Sequence, residues 1–296
     1  MREVQASRIT SAVKELCMRA NYILPEDMKA AIAAYRNKEV SESGKSIFTQ
    51  IVENMEIAER DHVPICQDTG VAVFFVELGQ DVHVVGGGYE DAFNEGVRQG
   101  YREGYLRKSM VTDPVLDRKN TQDNTPAEIY TRVVPGDKIK ITFVPKGGGS
   151  ENMSEIRMMK PADGMAGVKD FVVERVRKSG GNPCNPIVVG VGIGGTFEMC
   201  AMLAKKAILR PVDVRHPDPR YKAVEQELLT RINKLGLGPM GMGGQGDGHG
   251  RKHRDPSLSY RVHAGSSKYS MPCEPQGQSR DIKEEVNGTS TLVYTA

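Results

Sequence analysis

The chain of 296 residues carries 40 basic and 38 acidic side chains, for a formal net charge of +2, and contains no tryptophan. The two signs are interspersed and aromatic residues make up only 6%, so we expect no nucleic-acid partner. Its apolar runs are shorter than about ten residues, which excludes a membrane span, and the N-terminus lacks a secretory signal pattern. Five cysteines without close pairing favour a reducing compartment, and we expect a cytoplasmic protein.

The N-terminal part of the chain has a helical pattern. Between residues 5 and 59, apolar side chains recur at steps of three and four, as at Ile9, Val13 and Leu16, and Pro25 stands near a helix start. This spacing predicts a helical N-terminal layer.

Short apolar or β-branched runs then alternate with helical patterns. The predicted strands are 71–76, 82–85, 129–134, 138–144 and 187–189, and the predicted helices are 89–106, 162–179 and 197–209. Pro-Gly-Asp at 135–137 predicts a hairpin between the third and fourth of these strands. Interleaved helices and strands indicate an α/β class with a mixed sheet behind helical layers.

Three glycine-rich loops are predicted at strand-to-helix junctions, at 86–88, 147–150 and 190–196. Backbone N–H groups in such loops can converge on an anion. The third loop has G-x-G-x-x-G spacing, and Asp213 follows its last glycine by 18 residues, so a nucleotide-binding α/β protein is an alternative. Pro211 interrupts the stretch that should form the next strand and weakens that alternative.

A cysteine motif, Cys66-Gln67-Asp68-Thr69-Gly70, lies between a helical pattern and an apolar strand. It places a soft metal ligand beside groups that bind and transfer protons, which is typical of an active site. The same five residues also fit a buried structural cysteine in an ordinary turn. The motif alone leaves both interpretations open.

Four motifs in one order carry a resemblance to a known family: Cys66–Gly70, Leu106-Arg107-Lys108-Ser109, Lys146–Asn152, and Cys184 ahead of Gly190–Thr196. With Gly238–Gly244, they resemble the α subunit of class I iron–sulfur hydro-lyases, the two-subunit fumarate hydratases and L-tartrate dehydratases. The resemblance runs from about residue 5 to Gly244 and predicts a catalytic domain over residues 1–244. It implies reversible addition or removal of water on a small dicarboxylate, fumarate to malate, with L-tartrate dehydration as the alternative.

The resemblance also implies a [4Fe–4S] cluster held by three cysteines from separate loops, two of which match here as Cys66 and Cys184. Three thiolates leave one iron open as a Lewis acid. The remaining cysteines of the first 244 residues, Cys17 and Cys200, lie on helical patterns and are expected to be core thiols.

The family's substrate-binding groups match Gln67, Arg107 and the backbone near Gly148, and Asp68 matches a member of its proton relay. A guanidinium fork suits a carboxylate because the two pair bidentately. The resemblance further implies a separate β subunit that carries the remaining catalytic groups, and hence a hetero-oligomer. We expect the neighbouring His62 and His83 to be structural or surface residues.

The sequence changes character after Gly244. Only 13 of the 52 residues from 245 to 296 are hydrophobic, or 25%, against 39% for the whole chain, and they show no helical or strand period. We expect a disordered or loosely packed tail, because so few apolar residues cannot offset the entropy of ordering. The family's third cysteine motif is missing, and Cys273 is the one candidate for a third ligand there.

A change of reading frame would account for the tail. Read one nucleotide later, the codons after Gly244 can encode a family-like sequence, and the ATG of Met271 followed by the C of Pro272 must give TGC, a cysteine codon. On this hypothesis the family's catalytic histidine falls at the position of Ser259, and Cys273 is an accidental thiol. We then expect poor cluster binding and weak activity, and an inactive scaffold remnant is a further alternative.

Overall fold

The computed structural model describes residues 1–243 and, beyond them, the backbone of three strands. The described strands are β1 (Arg2–Gln5), β2 (Val71–Gly79), β3 (Val82–Val85), β4 (Glu128–Val134), β5 (Ile139–Lys146), β6 (Val188–Ile193), β7 (Tyr260–Ala264), β8 (Ile282–Val286) and β9 (Thr291–Thr295). The described α-helices are α1 (Ala6–Tyr22), α2 (Glu26–Arg36), α3 (Glu42–Asp61), α4 (Tyr89–Glu103), α5 (Gly148–Glu151), α6 (Gly164–Ser179), α7 (Phe197–Ala207) and α8 (Pro219–Asn233). The predicted α/β class and the helical N-terminal layer are confirmed.

The chain folds into two compact units. The first contains residues 1–25 and 54–148 with β8, and the second contains residues 26–53 and 149–243 with β7 and β9. The boundaries among residues 1–243 fall at the start of α2, within α3 and at the start of α5. The expected division at residue 244 into a catalytic domain and a tail stays a prediction.

In the first unit, α1 and α4 pack closely above a four-stranded sheet. On α1, Ile9, Val13 and Leu16 are fully buried, as their spacing predicted, and each such side chain contributes about 1.5–3 kcal/mol. The two helices approach closely because α4 carries glycine at the contact. A Cβ at Gly96 would lie 2.6 Å from the Cβ of Val13, and one at Gly100 would lie 2.9 Å from that of Cys17.

The sheet of the first unit has the order β4-β2-β5-β8. Strand β2 is parallel to β4 and antiparallel to β5, so β4 and β5 lie on opposite sides of it. The hairpin predicted at 135–137 is therefore wrong. Its turn passes the end of β2, where Asp81 donates its N–H to the carbonyl of Gly136 at 3.0 Å. Strand β2 takes the central place because apolar side chains on both of its faces are buried.

A second, parallel pair of strands in this unit joins β1 to β3. The strand predicted at 82–85 is confirmed as β3, whereas β1 was not predicted, because residues from 5 onward were expected to be helical and no strand was expected before them. Strand β1 has four residues, of which only Val4 is buried, and is too short to show the alternating pattern of a strand. The strand leads directly into α1.

In the second unit, β6 is flanked by β7 and β9, and all three are parallel. Gly190 and Gly192, the first two glycines of the predicted phosphate loop, lie within β6. A Cβ at either would come within 2.2 Å of a carbonyl oxygen of α7, that of Ala204 or of Cys200. These glycines allow the helix to pack on the strand, and the described residues 208–218 form no following strand. The structure therefore lends no support to the dinucleotide alternative.

Three short strands, β7, β8 and β9, lie in the tail, where the sequence predicted no strand period. The tail's expected loose packing stays a prediction, and Ser259, Met271 and Cys273 lie outside the described residues. None of the helices described is long and apolar enough to cross a membrane.

Candidate functional site

The cysteine loop, residues 66–70, connects α3 to β2 in the first unit. Cys66 is a free, half-buried cysteine, and Gln67 beside it is exposed. The Cys66 sulfur accepts the backbone N–H of Asp68 at 3.4 Å and lies 3.4 Å from Oε1 of Gln67.

The Asp68 carboxylate is oriented by two backbone N–H groups. Its Oδ1 accepts from Gly70 at 3.1 Å, and its Oδ2 accepts from Gly148 at 2.8 Å. Asp68 therefore ties the cysteine loop to the glycine-rich loop that follows β5. The Gly148 N–H, expected to hold a substrate carboxylate, donates to this side chain instead, so the role of Gly148 toward a substrate stays a prediction.

Buried hydrogen bonds from α4 support the cysteine loop. Tyr101 of α4 is fully buried and donates its hydroxyl to the carbonyls of Thr69 at 2.9 Å and Gly70 at 3.1 Å. Burial raises the pKa of Tyr101 well above its ordinary value, which keeps it a donor. Gly70 has φ +69°, and a Cβ there would lie 2.4 Å from the carbonyl carbon of Lys146. Only glycine fits this contact.

Arg107 follows α4 and is exposed, whereas its neighbour Leu106 is buried and anchors the segment. The hydroxyl of Thr69 donates to the carbonyl oxygen of Arg107 at 3.1 Å. Asn124 supplies a second link, since it accepts from the N–H of Ser109 at 2.8 Å. The structure thus joins the segments that carry four predicted site residues: Gln67, Asp68, Arg107 and Gly148.

The Cys184 loop lies in the second unit. Cys184 is exposed and has φ +59°, a conformation that costs a non-glycine residue about 1–2 kcal/mol and is enriched at functional sites. The chain after α8 holds this loop. The side-chain Nδ2 of Asn185 donates to the carbonyl of Gly238 at 3.2 Å, and the backbone carbonyl of Asn185 accepts the N–H of Met240 at 2.9 Å.

The other cysteines and histidines are placed as predicted. Cys17 and Cys200 are buried, and burial strongly raises the pKa of the Cys17 thiol. His62 and His83 are exposed. Sequence analysis did not identify Tyr101 and Asn124 as residues of the site region. A single polar residue in a helical or loop pattern gives no indication of which groups it will contact in the folded chain.

The donor chemistry fits an iron–sulfur cluster in part. Cys66 and Cys184 are accessible thiols, the donor type that such clusters require. Among the residues described, no three His, Cys, Asp or Glu side chains form a group that could hold a metal ion. The third ligand, for which Cys273 is the candidate, stays a prediction.

Comparison with known proteins gives consistent matches. The model of a family described as fumarate hydratase (fumerase) matches residues 10–250. A protein of Methanocaldococcus jannaschii, named putative L(+)-tartrate dehydratase subunit alpha, is 41% identical over 248 residues, 80% of this chain and 85% of that protein. The L(+)-tartrate dehydratase subunit alpha of Escherichia coli K12 is 31% identical over 240 residues, 80% of this chain and 79% of that protein. The family match ends close to the residue where the sequence changes character.

Proposed function

The chain belongs to the fumarate hydratase family of hydro-lyases, and we propose that it is an α subunit that adds or removes water on a small dicarboxylate. Fumarate is one candidate substrate, from the family's name. L-Tartrate is the second, because the relatives described above are named tartrate dehydratase α subunits. Malate, the hydrated form of fumarate, differs from L-tartrate by one hydroxyl, so few contacts decide between them.

The observation that carries this proposal is the junction of three segments in the first unit. Asp68 is bonded to Gly148 at 2.8 Å, and Thr69 is bonded to Arg107 at 3.1 Å, so a carboxylate, a guanidinium and a thiol lie on connected loops. Arg107 and Gln67 are exposed and able to meet a substrate. A dicarboxylate needs a cationic partner, amide donors and a nearby base.

We propose that Cys66 and Cys184 each supply one thiolate to a [4Fe–4S] cluster, as the family resemblance implies. When bound, the cluster supplies a Lewis acid with an open coordination position. Side chains close to Cys66 in sequence or structure are proposed to bind the substrate. The Arg107 guanidinium pairs with a substrate carboxylate, and the Gln67 amide donates to it.

The Asp68 carboxylate is proposed to transfer a proton. Each of its oxygens accepts one backbone N–H, which leaves a second lone pair on each oxygen for the substrate's proton. The fixed orientation of the carboxylate favours this role, because proton transfer requires hydrogen-bond distance and alignment.

A β subunit is the proposed partner, since the relatives are named α subunits. The chain should co-purify with a second, different subunit and form a hetero-oligomer. A fully active preparation of this chain alone would contradict this part of the proposal.

The tail determines how active the chain is as written. We propose that the reading frame changes after Gly244, so that the third thiolate is missing and cluster binding is weak. Sequencing the gene around codon 244 tests this directly. The hypothesis fails if the adjacent frame does not encode Lys-Ala-Thr-like triplets after Gly244. It also fails if that frame lacks a glutamine codon at the position of Ser270, directly before the cysteine codon at the position of Met271.

The functional test is anaerobic reconstitution with the β subunit, for this chain and for a frame-restored version. Iron per chain and turnover of fumarate, malate and L-tartrate are measured for both. We expect the frame-restored version to bind more iron and to turn over one dicarboxylate faster. Equal iron and equal rates would make Cys273 the working third ligand. Binding of NAD or ATP without any dicarboxylate turnover would instead favour the nucleotide alternative.

A further inference from the structure

We propose that Asn124 is a positioning residue that couples the cysteine loop, residues 66–70, to the arginine segment, residues 107–109. The part of this inference that concerns substrate rests on the proposed function, whereas the coupling itself does not. Asn124 belongs to neither segment, and its own position in the sequence gives no indication of this role.

Both ends of the Asn124 amide are engaged, each with a different segment. Its Nδ2 donates to the carbonyl of Gly70 at 3.1 Å, and its Oδ1 accepts the N–H of Ser109 at 2.8 Å. The side chain is fully buried, at 0% exposure. In such an environment a hydrogen bond is strong and an unsatisfied partner is costly, so the bridge holds the two segments in one arrangement.

Asparagine is suited to this position for two reasons. The site needs a donor and an acceptor on one rigid group, which aspartate does not offer when ionised. The backbone at Asn124 has φ +62°, the left-handed region that asparagine adopts more readily than most residues.

The loop that carries Asn124 is itself anchored. Asp123 accepts the Arg98 guanidinium of α4 at 3.1 Å through Oδ2, and it accepts the N–H of Thr125 at 3.0 Å through Oδ1. The bonds of Asp123 fix the backbone beside Asn124. The Asn124 side chain can therefore hold the cysteine loop and the arginine segment in position, whereas a side chain on a mobile loop would move with them.

Arg107 is consequently held on two sides. Thr69 holds its carbonyl oxygen at 3.1 Å, and Asn124 holds the backbone two residues further on through Ser109. Displacement of a substrate-orienting group by about 1 Å can cost a hundredfold in rate. Asn124 thus acts through Arg107 and the cysteine loop without contacting substrate.

Two substitutions separate the halves of the bridge. Asn124→Asp keeps the acceptor for Ser109 and removes the donor to Gly70. Asn124→Gly removes both bonds and tolerates the positive φ. Tyr22→Phe is the matched control, because it removes one buried bond in the same unit, from the Tyr22 hydroxyl to the carbonyl of Gly104 at 2.9 Å, and leaves both segments intact.

Hydrogen exchange of the full chain tests the coupling whatever the chain's activity. We expect Asn124→Gly to raise exchange about tenfold or more in peptides covering 66–72 and 105–111, and Asn124→Asp to raise it mainly in the first. Tyr22→Phe should leave both peptides at the level of the original chain. Unchanged exchange at 105–111 in Asn124→Gly would overturn the proposal.

Kinetics of the frame-restored holoenzyme, reconstituted with the β subunit, test the consequence for substrate. We expect Asn124→Asp to raise KM for the dicarboxylate about tenfold while iron per chain is retained, and Tyr22→Phe to leave KM unchanged. Altered exchange with an unchanged KM would refute the positioning role while leaving the hydro-lyase assignment intact. Absence of dicarboxylate turnover in the frame-restored holoenzyme would instead refute the proposed function, and exchange would still decide the coupling.

Discussion

The two accessible cysteines of residues 1–243 are presented by loops that are stabilised in different ways. Around Cys66, buried side chains from α4 and from a distant loop, Tyr101 and Asn124, bond to the carbonyls of Thr69 and Gly70. Around Cys184, one side-chain hydrogen bond, from Asn185 to Gly238, is joined by close packing of glycine backbone.

A glycine pair shows this second arrangement most clearly. The Cα of Gly181 would lie 2.3 Å from a Cβ at Gly241, which itself has φ +70°. The comparison shows that a loop carrying an accessible thiol can be held in place by side-chain hydrogen bonds or by close backbone packing. The two arrangements should fail under different substitutions: the first when a polar partner is removed, and the second when a methyl group is added.

The largest effect is expected when either thiol is removed. In the frame-restored chain, Cys66→Ser and Cys184→Ser should each lower turnover by at least about a hundredfold and reduce iron per chain, because both are proposed cluster ligands. Cys200→Ser is the control, since this buried cysteine bonds to the carbonyl of Gly192 at 3.2 Å and a hydroxyl can replace it there. Iron analysis and activity after anaerobic reconstitution measure the difference. If only one of the two variants loses iron, the loops are not equivalent in function.

The next effect tests the glycine packing of the second loop. Gly241→Ala should reduce the free energy of unfolding by about 1–2 kcal/mol for its left-handed backbone and by about 1–3 kcal/mol more for overpacking against Gly181. Gly243→Ala is the matched control, because Gly243 has φ +74° but a Cβ there meets nothing within 4 Å. Urea unfolding of the full chain gives both values. Equal losses in the two variants would show that the contact with Gly181 contributes nothing.

The smallest effect tests the hydrogen bonds below the first loop. Tyr101→Phe should cost about 1–3 kcal/mol, because the buried carbonyls of Thr69 and Gly70 lose a donor. The loss is limited at Gly70, which keeps its bond from Asn124.

The Tyr101→Phe substitution should also change how the stability of the fold depends on pH. Burial raises the pKa of Tyr101 well above its ordinary value of 10.0, so above about pH 10 the unfolded chain releases this proton while the folded chain retains it. Stability therefore declines as pH rises past that point, and the decline should be shallower in Tyr101→Phe. Tyr105→Phe is the control, because Tyr105 is 89% exposed. Thermal unfolding between pH 8 and 11, the interval about the ordinary tyrosine pKa, measures the slopes; parallel slopes in all three proteins would contradict the prediction.

Several features of the molecule follow from the sequence alone. The period of Ile9, Val13 and Leu16 specifies a helix with one buried face, because every third or fourth residue returns to the same side. The motifs around Cys66, Arg107 and Cys184 identified the family, since motif order and spacing are properties of the chain. These signals are local, or they depend only on order along the sequence.

Other features were decided by the tertiary structure. The turn at 135–137 is locally a hairpin turn, but the apolar residues of β2 gain more by being buried between β4 and β5 than those strands gain by pairing with each other. Gly190 and Gly192 fit a phosphate loop by spacing, yet α7 packs against them. Asn124 acquires its partners, Gly70 and Ser109, only when the chain folds. In each case the contact that decides the structure joins residues of different elements or loops. The local sequence pattern does not indicate which of the possible partners a residue will contact.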